Sequence, residues 1–321
     1  MSLRVGLVGA GNMAGVHADA WVATPVRIVA VFDPDRERAS KLATEHGAVV
    51  ADDFESLAKM VDVVDICTPT HTHASYINAA ADAGVDIVCE KPLARTAAEA
   101  RDAVAVCEAA GVRLLVGHVV RFFPEYAAAR DAVVAGDIGA VGVVRLDRST
   151  YLPAGASSWF NDRSKSGGVV LDLMIHDVDY ARWVAGDVER VYARSARGGD
   201  HVLATLSHTN GAISHIQASW AYPMGSFRAA FEIAGSDGLI QRHVAVPFEA
   251  SVKASDDVSD VPQPPSSSTE SPYVTEIRHF SSVLHGAGEP RVTADDGAWA
   301  VAICDGIAES LMTNRAVEIG P

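Results

Sequence analysis

Near its start the chain reads Leu3-Arg4-Val5-Gly6-Leu7-Val8-Gly9-Ala10-Gly11-Asn12-Met13-Ala14, an apolar run that leads directly into a glycine-rich turn. In a Gly-x-Gly-x-x-Ala pattern the first glycine allows a tight turn, and the second lets the backbone approach a pyrophosphate. The small third residue lets helix and strand pack closely. The stretch predicts a strand, a phosphate-binding turn and a helix N-terminus. We expect Gly9, Gly11, Asn12 and Met13 to contact a dinucleotide.

Apolar runs alternate with helix-like segments as far as residue 118. The apolar runs are Leu3–Val8, Val26–Phe32, Val61–Cys67, Val85–Glu90 and Val112–Val116. The helix-like segments between them are Met13–Thr24, Asp35–His46, His71–Ala83 and Thr96–Ala110. Continuous apolar strands that alternate with helices predict a doubly wound parallel sheet covered on both faces. We expect a Rossmann dinucleotide-binding domain over residues 1–119.

The remainder of the chain has a different pattern of apolar and polar residues. Strand-like segments with alternating apolar and polar residues follow one another from residue 141 to residue 241, interrupted by one helix-like block at Val169–Ala185. Alternation suits an antiparallel sheet with one covered face. We expect a second α/β domain over residues 120–321, built on an open, largely antiparallel sheet. Ala254–Ser271 is rich in Ser, Pro and Asp, which predicts an exposed loop.

Composition excludes several classes of function. The net charge of −15 argues against DNA or RNA as the main partner, because phosphate binding needs a basic surface. No run of about 18 apolar residues occurs, so we expect no membrane span. Leu3–Ala10 is not expected to be a signal peptide, because the glycine turn follows at once and no small-residue cleavage site ends the run. Four cysteines without a CxxC pair favour a reduced, cytoplasmic protein.

Asp33 ends the second apolar run, about twenty residues after the glycine turn, where an acidic side chain binds the adenosine ribose hydroxyls. A carboxylate there repels a 2′-phosphate, so NAD is predicted in preference to NADP. Arg36 and Arg38 follow closely and could soften that preference. The alternative is that Asp33 only caps the next helix, a function that Asp35 fits better.

Cys67-Thr68-Pro69-Thr70-His71 follows the run that ends at Cys67. In a doubly wound sheet the ligand lies at the carboxyl ends of the strands. We therefore expect Thr68 and Pro69 to border the cofactor. His71 is interpreted as a helix-start residue or a neighbour of the cofactor rather than as a catalyst.

Glu90-Lys91-Pro92 follows the run Val85–Glu90, and the same rule places it near the nicotinamide end of the cofactor. Lys91, partly buried beside other charges, could take part in proton transfer or hydrogen-bond a substrate hydroxyl. The alternative is a surface Glu–Lys pair at a strand exit. Pro92 could follow a cis peptide bond.

Asp172 and His176 are four residues apart in a helix-like block that two glycines precede. Residues at i and i+4 share one face of a helix, so the carboxylate and the imidazole could act as a pair. The alternative is a buried histidine that an aspartate satisfies. No third metal ligand is evident, so no metal is predicted.

Three further residues are candidates for substrate contact. Arg121 follows the last apolar run of the first domain, where contact with a polar substrate and linkage of the domains are equally good explanations. Trp159 and Asn161 lie in a Gly- and Ser-rich loop and could form walls of a substrate pocket.

The chain resembles the Gfo/Idh/MocA oxidoreductases, on the glycine turn, Thr68-Pro69, Glu90-Lys91-Pro92 and the Gly-Gly…Asp172-x-x-x-His176 block. The resemblance implies that Lys91, Asp172 and His176 are catalytic, with Lys91 polarising the reacting hydroxyl and His176 acting as acid and base. It also implies that the exposed sheet of the second domain supports a homodimer or homotetramer. Met174 stands where the family often has a small residue, so no specific substrate is carried over.

The leading hypothesis is an NAD-dependent dehydrogenase that oxidises a secondary alcohol of a sugar, polyol or cyclitol. Two alternatives stay open at the level of sequence. One is a glycosidase of the same fold that uses NAD transiently, and the other is an NAD-binding sensor without turnover.

Overall fold

The computed structural model describes residues 2–153, 159–196, 198–242 and 270–320. The chain divides into two compact units. The first comprises residues 1–122 and 268–301, and the second comprises residues 123–267 and 302–321. Most of the predicted loop at Ala254–Ser271 lies outside the described residues. No helix within the described ranges is long and apolar enough to cross a membrane.

The first unit is built on a six-stranded parallel sheet in the order β3-β2-β1-β4-β5-β6. Its strands are β1 (Arg4–Val8), β2 (Arg27–Phe32), β3 (Val49–Val50), β4 (Val63–Ile66), β5 (Asp86–Glu90) and β6 (Leu114–Gly117). The order reverses direction at β1, which places a topological switch point between β1 and β4. The predicted Rossmann sheet is confirmed, and β3, only two residues long, is the strand that the sequence pattern missed.

Helices connect these strands, and the alternating pattern predicted all of them except the short α3. They are α1 (Asn12–Val22), α2 (Arg36–His46), α3 (Phe54–Ala58), α4 (His73–Asp82) and α5 (Ala97–Ala110), with a 3₁₀ turn at Thr70–Thr72 before α4. Asp35 caps α2 by accepting hydrogen bonds from the backbone N–H groups of Glu37 and Arg38. The parallel pairing of β1 with β4 and of β4 with β5 places the carboxyl ends of these strands side by side.

A helix from the C-terminal third of the chain, α9 (Pro272–Leu284), also belongs to the first unit. Its buried side chains include Ile277 and Phe280, and it packs against α1 and the 3₁₀ turn Val119–Phe122. Arg113 at the start of β6 donates hydrogen bonds to the carbonyls of Val283 and Leu284. Residues 268–301 thus join the first unit although they lie far beyond residue 120 in sequence.

The second unit is built on a seven-stranded sheet in the order β12-β11-β7-β10-β9-β8-β13. Its strands are β7 (Val141–Thr150), β8 (Val188–Ser195), β9 (His201–His208), β10 (Ile213–Ser219), β11 (Phe227–Gly235), β12 (Leu239–Arg242) and β13 (Val317–Glu318). All neighbours are antiparallel except β7 and β10, which are parallel. Buried and more exposed residues alternate along these strands, so the predicted, largely antiparallel sheet is confirmed.

The helices of the second unit are α6 (Pro124–Ala135), α7 (Arg163–Ser166) and α8 (Ile175–Ala185), and α10 (Ala294–Thr313) begins in the first unit and ends in the second. The predicted helix Val169–Ala185 is not α-helical throughout. A π-helical turn, Val170–Met174, precedes α8. Such turns are rare, and the apolar spacing that predicts a helix does not reveal them.

Candidate active site

The glycine turn after β1 has the geometry that its sequence predicted. Gly9 has φ of +100°, and a Cβ atom on it would lie 2.7 Å from the carbonyl oxygen of Cys67. Gly11 has φ of −84° and precedes α1, and a Cβ built on it meets no described atom within 4 Å. Ala14 is fully buried. The turn is tight at Gly9 and open at Gly11, which is the arrangement that a phosphate cradle needs.

The first turn of α1 carries Asn12 and Met13 and contains no acidic residue. Its N-terminal N–H groups and helix dipole therefore favour an anion, with no carboxylate of that turn competing for them. This observation supports the placement of a pyrophosphate at Gly11, Asn12 and Met13.

Asp33 lies at the end of β2 beside this turn. One carboxylate oxygen accepts a hydrogen bond from the Ala10 N–H at 2.8 Å, and the other accepts from the Asp35 N–H at 2.7 Å and from Arg38 at 3.1 Å. The cap of α2 is Asp35, so the alternative function for Asp33 is not needed. Together with the open cradle at Gly11, these residues fit a dinucleotide.

The loop after β4 carries Thr68, Pro69 and His71, and His71 is exposed in the 3₁₀ turn. The buried histidine is instead His73, whose Nδ1 lies 2.7 Å from the Pro92 carbonyl oxygen and whose Nε2 lies 2.8 Å from the Thr68 carbonyl oxygen. Burial lowers the pKa of His73, although the two carbonyls oppose that change. Sequence reasoning missed His73, because only the register of α4 distinguishes it from His71.

Lys91 directly follows β5, and its peptide bond to Pro92 is cis. The Lys91 N–H donates to a carboxylate oxygen of Glu90 at 2.9 Å. Glu90 is only 6% exposed, and its other oxygen lies 3.0 Å from Nε2 of His17. The alternative of a surface Glu–Lys pair therefore does not describe Glu90.

Asp172 lies within the π-helical turn and His176 within the first turn of α8, and both side chains are half-buried. The preceding Gly167 and Gly168 have φ of +75° and +68°, a conformation that favours glycine. Met174 between the two polar residues is fully buried. Because π-helical turns occur frequently at functional sites, this feature supports a role for the Asp172–His176 pair.

The three candidates for substrate contact lie in different surroundings. Arg121 is 1% exposed, and its guanidinium donates to the Arg291 carbonyl oxygen at 2.9 Å and to Asp296 at 3.0 Å. Both of these partners belong to the first unit, as does Arg121. Trp159 lies in a 3₁₀ turn with its ring stacked on Phe160, with 4.1 Å between the centroids. Asn161, in the same turn, is exposed.

The first unit therefore contains the glycine turn, Asp33, Thr68, Pro69, Glu90 and Lys91, and the second unit contains Asp172 and His176. A buried group of side chains around His17 was missed by the sequence analysis. Its signal was Asp65, a carboxylate inside the apolar run of β4, because a buried charge needs a partner.

The comparisons with known proteins agree with this geometry. Residues 3–118 match the model of the oxidoreductase family with an NAD-binding Rossmann fold, and residues 126–241 match the GFO/IDH/MocA C-terminal domain. The inositol 2-dehydrogenase of Rhizobium meliloti (strain 1021) is 31% identical over 340 aligned residues, covering 99% of this chain and 100% of the relative. The 1,5-anhydro-D-fructose reductase of Ensifer adhaerens is 30% identical over 339, covering 98% of each.

The solved structure of GenD2 from gentamicin A biosynthesis, in complex with NAD, has a TM-score of 0.86 and 27% identity, covering 100% of this chain and 97% of that chain. The named relatives are a dehydrogenase and a reductase, so they do not favour the glycosidase or sensor alternatives. Two family models and these relatives show that the chain is an enzyme of the Gfo/Idh/MocA family of NAD(P)-dependent oxidoreductases.

Proposed function

We propose that this enzyme is an NAD-dependent dehydrogenase that oxidises a secondary alcohol of a sugar or cyclitol. The observation that carries the proposal is the position of Lys91 at the carboxyl end of β5, at the same edge of the parallel sheet as the glycine turn after β1. Ligands of doubly wound sheets bind at that edge. The relatives named for inositol and anhydrofructose support the substrate class.

The proposed catalytic residues are Lys91, Asp172 and His176. NAD, when bound, supplies the hydride acceptor. Lys91 donates a hydrogen bond to the reacting hydroxyl and polarises it. His176 takes the hydroxyl proton, and Asp172 holds the substrate and tunes the imidazole. Arg121, Trp159 and Asn161 stay predictions as substrate contacts, and the two bonds from Arg121 to residues of its own unit favour a structural role for it.

A preference for NAD over NADP is proposed from Asp33. Its carboxylate already accepts the Ala10 N–H in the glycine turn, so it is fixed in place beside the cradle. A fixed negative charge repels a 2′-phosphate, whereas it can accept hydrogen bonds from the ribose hydroxyls. Arg38 pairs with the same carboxylate at 3.1 Å and is thereby partly neutralised.

The decisive experiment follows nicotinamide reduction by absorbance across a panel of cyclitols and monosaccharides, with NAD and NADP in parallel. We expect turnover with NAD on at least one member of the panel, lost by 100-fold or more in Lys91→Ala and His176→Ala, in line with a proton-transfer contribution of about 10² to 10⁴. Both variants should bind NAD with nearly the wild-type affinity if their roles are in catalysis.

Tight binding of NAD without reduction on any member of the panel would contradict the dehydrogenase proposal. Cleavage of a glycoside without net NADH formation would establish the glycosidase alternative, and binding without either reaction would establish the sensor. Lys59→Ala is a suitable control, because Lys59 is exposed and pairs with Glu55 away from the glycine turn.

Two further proposals concern the location and the oligomeric state of the protein. A cytoplasmic location is supported by four cysteines that are all free thiols. A homodimer or homotetramer is supported by the exposed sheet face of the second unit, where β7, β9, β10 and β11 line a depression of about 460 Å³. Analytical ultracentrifugation tests the second proposal, and a monomer at micromolar concentration would contradict it.

A further inference from the structure

A chain of buried polar side chains connects α1 to Lys91 in the first unit. Trp21 Nε1 donates to Asp65 at 2.7 Å, and Asp65 lies 2.9 Å from Nδ1 of His17. His17 Nε2 lies 3.0 Å from one oxygen of Glu90. The other Glu90 oxygen accepts the Lys91 N–H at 2.9 Å. Trp21, His17 and Asp65 are fully buried, so bulk water does not compete for the links among them.

We propose that His17 is a positioning residue for Lys91, acting through Glu90, and that this buried chain sets the place of the Lys91 amine in the reaction. The inference rests on the proposed function for Lys91 itself. The hydrogen bonds of His17 go to Asp65 and Glu90, so it acts by holding the Glu90 carboxylate in one orientation.

The hydrogen-bond geometry favours one protonation state of His17. Both ring nitrogens face carboxylates, and a neutral imidazole can donate to only one of them. Burial alone would lower the pKa of His17, but the charge of Asp65 and its hydrogen bond raise the pKa well above the ordinary value of 6.5. The two facing carboxylates and the raised pKa both favour an imidazolium, which would donate to Asp65 and to Glu90 at once. A charge-assisted pair of this kind holds both carboxylates more rigidly than neutral bonds would.

Four titratable groups near His17 bear on its charge. Asp65 lies in β4, and Cys67 directly follows that strand. Glu90 lies at the end of β5, and Glu276 lies in α9. Glu276 is fully buried, and neither of its oxygens has a hydrogen-bond partner among the described residues. Burial and the charge of Glu90 raise the pKa of Glu276 well above its ordinary value. A neutral Glu276 adds no third negative charge, so the imidazolium stays matched to Asp65 and Glu90.

A metal site made of His17, Asp65 and Cys67 is the competing explanation, because one ligand atom from each lies within 4.8 Å of the others. Both nitrogens of His17 already face carboxylates, and Asp65 also accepts from Trp21. Burial raises the pKa of the Cys67 thiol far above its ordinary value, which disfavours the thiolate that a metal needs. The hydrogen-bonded chain is therefore the better account of these groups.

The kinetic test compares His17→Gln, Glu90→Gln and Glu90→Leu with the wild type. A displacement of about 1 Å can cost about 10²-fold in rate, so we expect His17→Gln to lower kcat by about 10- to 100-fold with little change in the KM for substrate or in NAD affinity. Glu90→Gln can still accept the Lys91 N–H and donate to a neutral His17, so its kcat should exceed that of Glu90→Leu by at least about 5-fold. His46→Gln is the matched control, because His46 pairs only loosely with Asp19 at 3.8 Å.

A kcat for His17→Gln within about twofold of the wild type, or equal values for Glu90→Gln and Glu90→Leu, would overturn the inference. A second readout needs no turnover. In ¹⁵N-labelled wild type, both nitrogens of His17 should carry protons from about pH 6 to about pH 8, whereas a neutral tautomer in that range would overturn the inference.

Exchange of the Lys91 amide hydrogen should be at least about 10-fold faster in Glu90→Leu than in wild type, and an unchanged rate would overturn the inference. The protonation state of His17 and the exchange rate of the Lys91 amide test the inference even if His17→Gln does not fold. Neither measurement needs turnover, so both remain interpretable if no substrate on the panel reacts and the proposed function fails.

Discussion

Gly9 meets two separate constraints at the residue scale. Its φ of +100° disfavours any side chain, and a Cβ atom would lie 2.7 Å from the Cys67 carbonyl oxygen, a backbone atom that cannot rotate away. We expect Gly9→Ala to lower the free energy of unfolding by about 3 kcal/mol or more, since an unfavourable backbone conformation alone costs about 1 to 3 kcal/mol. Urea denaturation, with NAD affinity measured by calorimetry, checks this expectation.

Gly47→Ala is the control that separates the two constraints. Gly47 also has a positive φ, +66°, but a Cβ there meets no described atom within 4 Å. Its substitution should cost only the conformational part, about 1 kcal/mol, and leave NAD affinity unchanged. Equal losses for both variants would show that the contact with Cys67 has no effect.

Residue identity was enough to propose some members of the candidate site and not others. The glycine turn, Asp33 and Lys91 carry motifs at fixed positions relative to strands, so each could be proposed from sequence alone. His17 lies 48 residues before Asp65 and 73 residues before Glu90 in the sequence. No short spacing therefore identifies these residues as partners. Contacts of that separation arise only when the parallel strands are aligned in the sheet.

At the scale of elements, α5 begins with a reciprocal capping box. The Thr96 hydroxyl accepts the Glu99 N–H at 3.3 Å, and the Glu99 carboxylate accepts the Thr96 N–H at 3.1 Å. We expect Thr96→Ala to lower the free energy of unfolding by about 1 kcal/mol, because one helix N–H loses its partner. Chemical denaturation of the purified protein measures the change.

Thr44→Ala provides the comparison for that measurement. Thr44 lies in the last turn of α2, exposed, with its hydroxyl bonded to the Ser40 carbonyl of the same helix. Because Ala has the higher helix propensity, this change should be neutral or slightly stabilising. A loss at Thr44 as large as that at Thr96 would rule out the cap as the cause.

Most elements were predictable because apolar runs and glycine C-caps mark them directly. Gly47 and Gly111, for example, end α2 and α5 in the left-handed conformation. The sequence could not show β3, whose two residues are too few for a pattern, or the π-helical turn Val170–Met174, whose apolar residues also suit an α-helix. The sequence also could not predict the parallel pairing of β7 with β10, because the alternation of apolar and polar residues does not encode strand direction.

At the scale of the whole molecule, two buried groups make stability depend on pH in the same direction. The pKa of Glu276 is raised by burial and by Glu90, and the pKa of His17 is raised by Asp65 against the effect of burial. A group whose pKa is higher in the folded state stabilises fully below its unfolded pKa, and that contribution is lost as pH rises through the folded pKa. The losses therefore begin above about pH 4.5 for Glu276 and about pH 6.5 for His17.

We expect Glu276→Gln to remove the first of these losses. The variant should gain stability relative to wild type as pH rises from about 5 to about 8, at up to about 1.4 kcal/mol for each pH unit over which Glu276 stays protonated. Thermal denaturation across that pH range measures the difference between the two curves. Glu55→Gln, an exposed change on α3, should run parallel to wild type, and a parallel curve for Glu276→Gln would contradict the prediction.

The division of the chain into units follows burial rather than sequence order. Residues 268–301 return to the first unit because the apolar face of α9, with Ile277 and Phe280, packs against α1. The pattern of apolar runs predicted two domains and a boundary near residue 120. It could not predict this return, because an amphipathic helix specifies that it must be covered but not by which surface.

The position of His73 has a mechanical consequence for the first unit. Its ring lies between the carbonyl oxygens of Thr68 and Pro92, 2.8 and 2.7 Å from its nitrogens, and a neutral ring donates to one of them. This one ring therefore keeps the loop after β4 in contact with the loop after β5. A displacement of one loop therefore moves the ring that contacts the other. Under the proposed function, in which Thr68 borders the cofactor and Lys91 contacts the substrate, a shift of the Thr68 segment on cofactor binding would also shift the segment that carries Lys91.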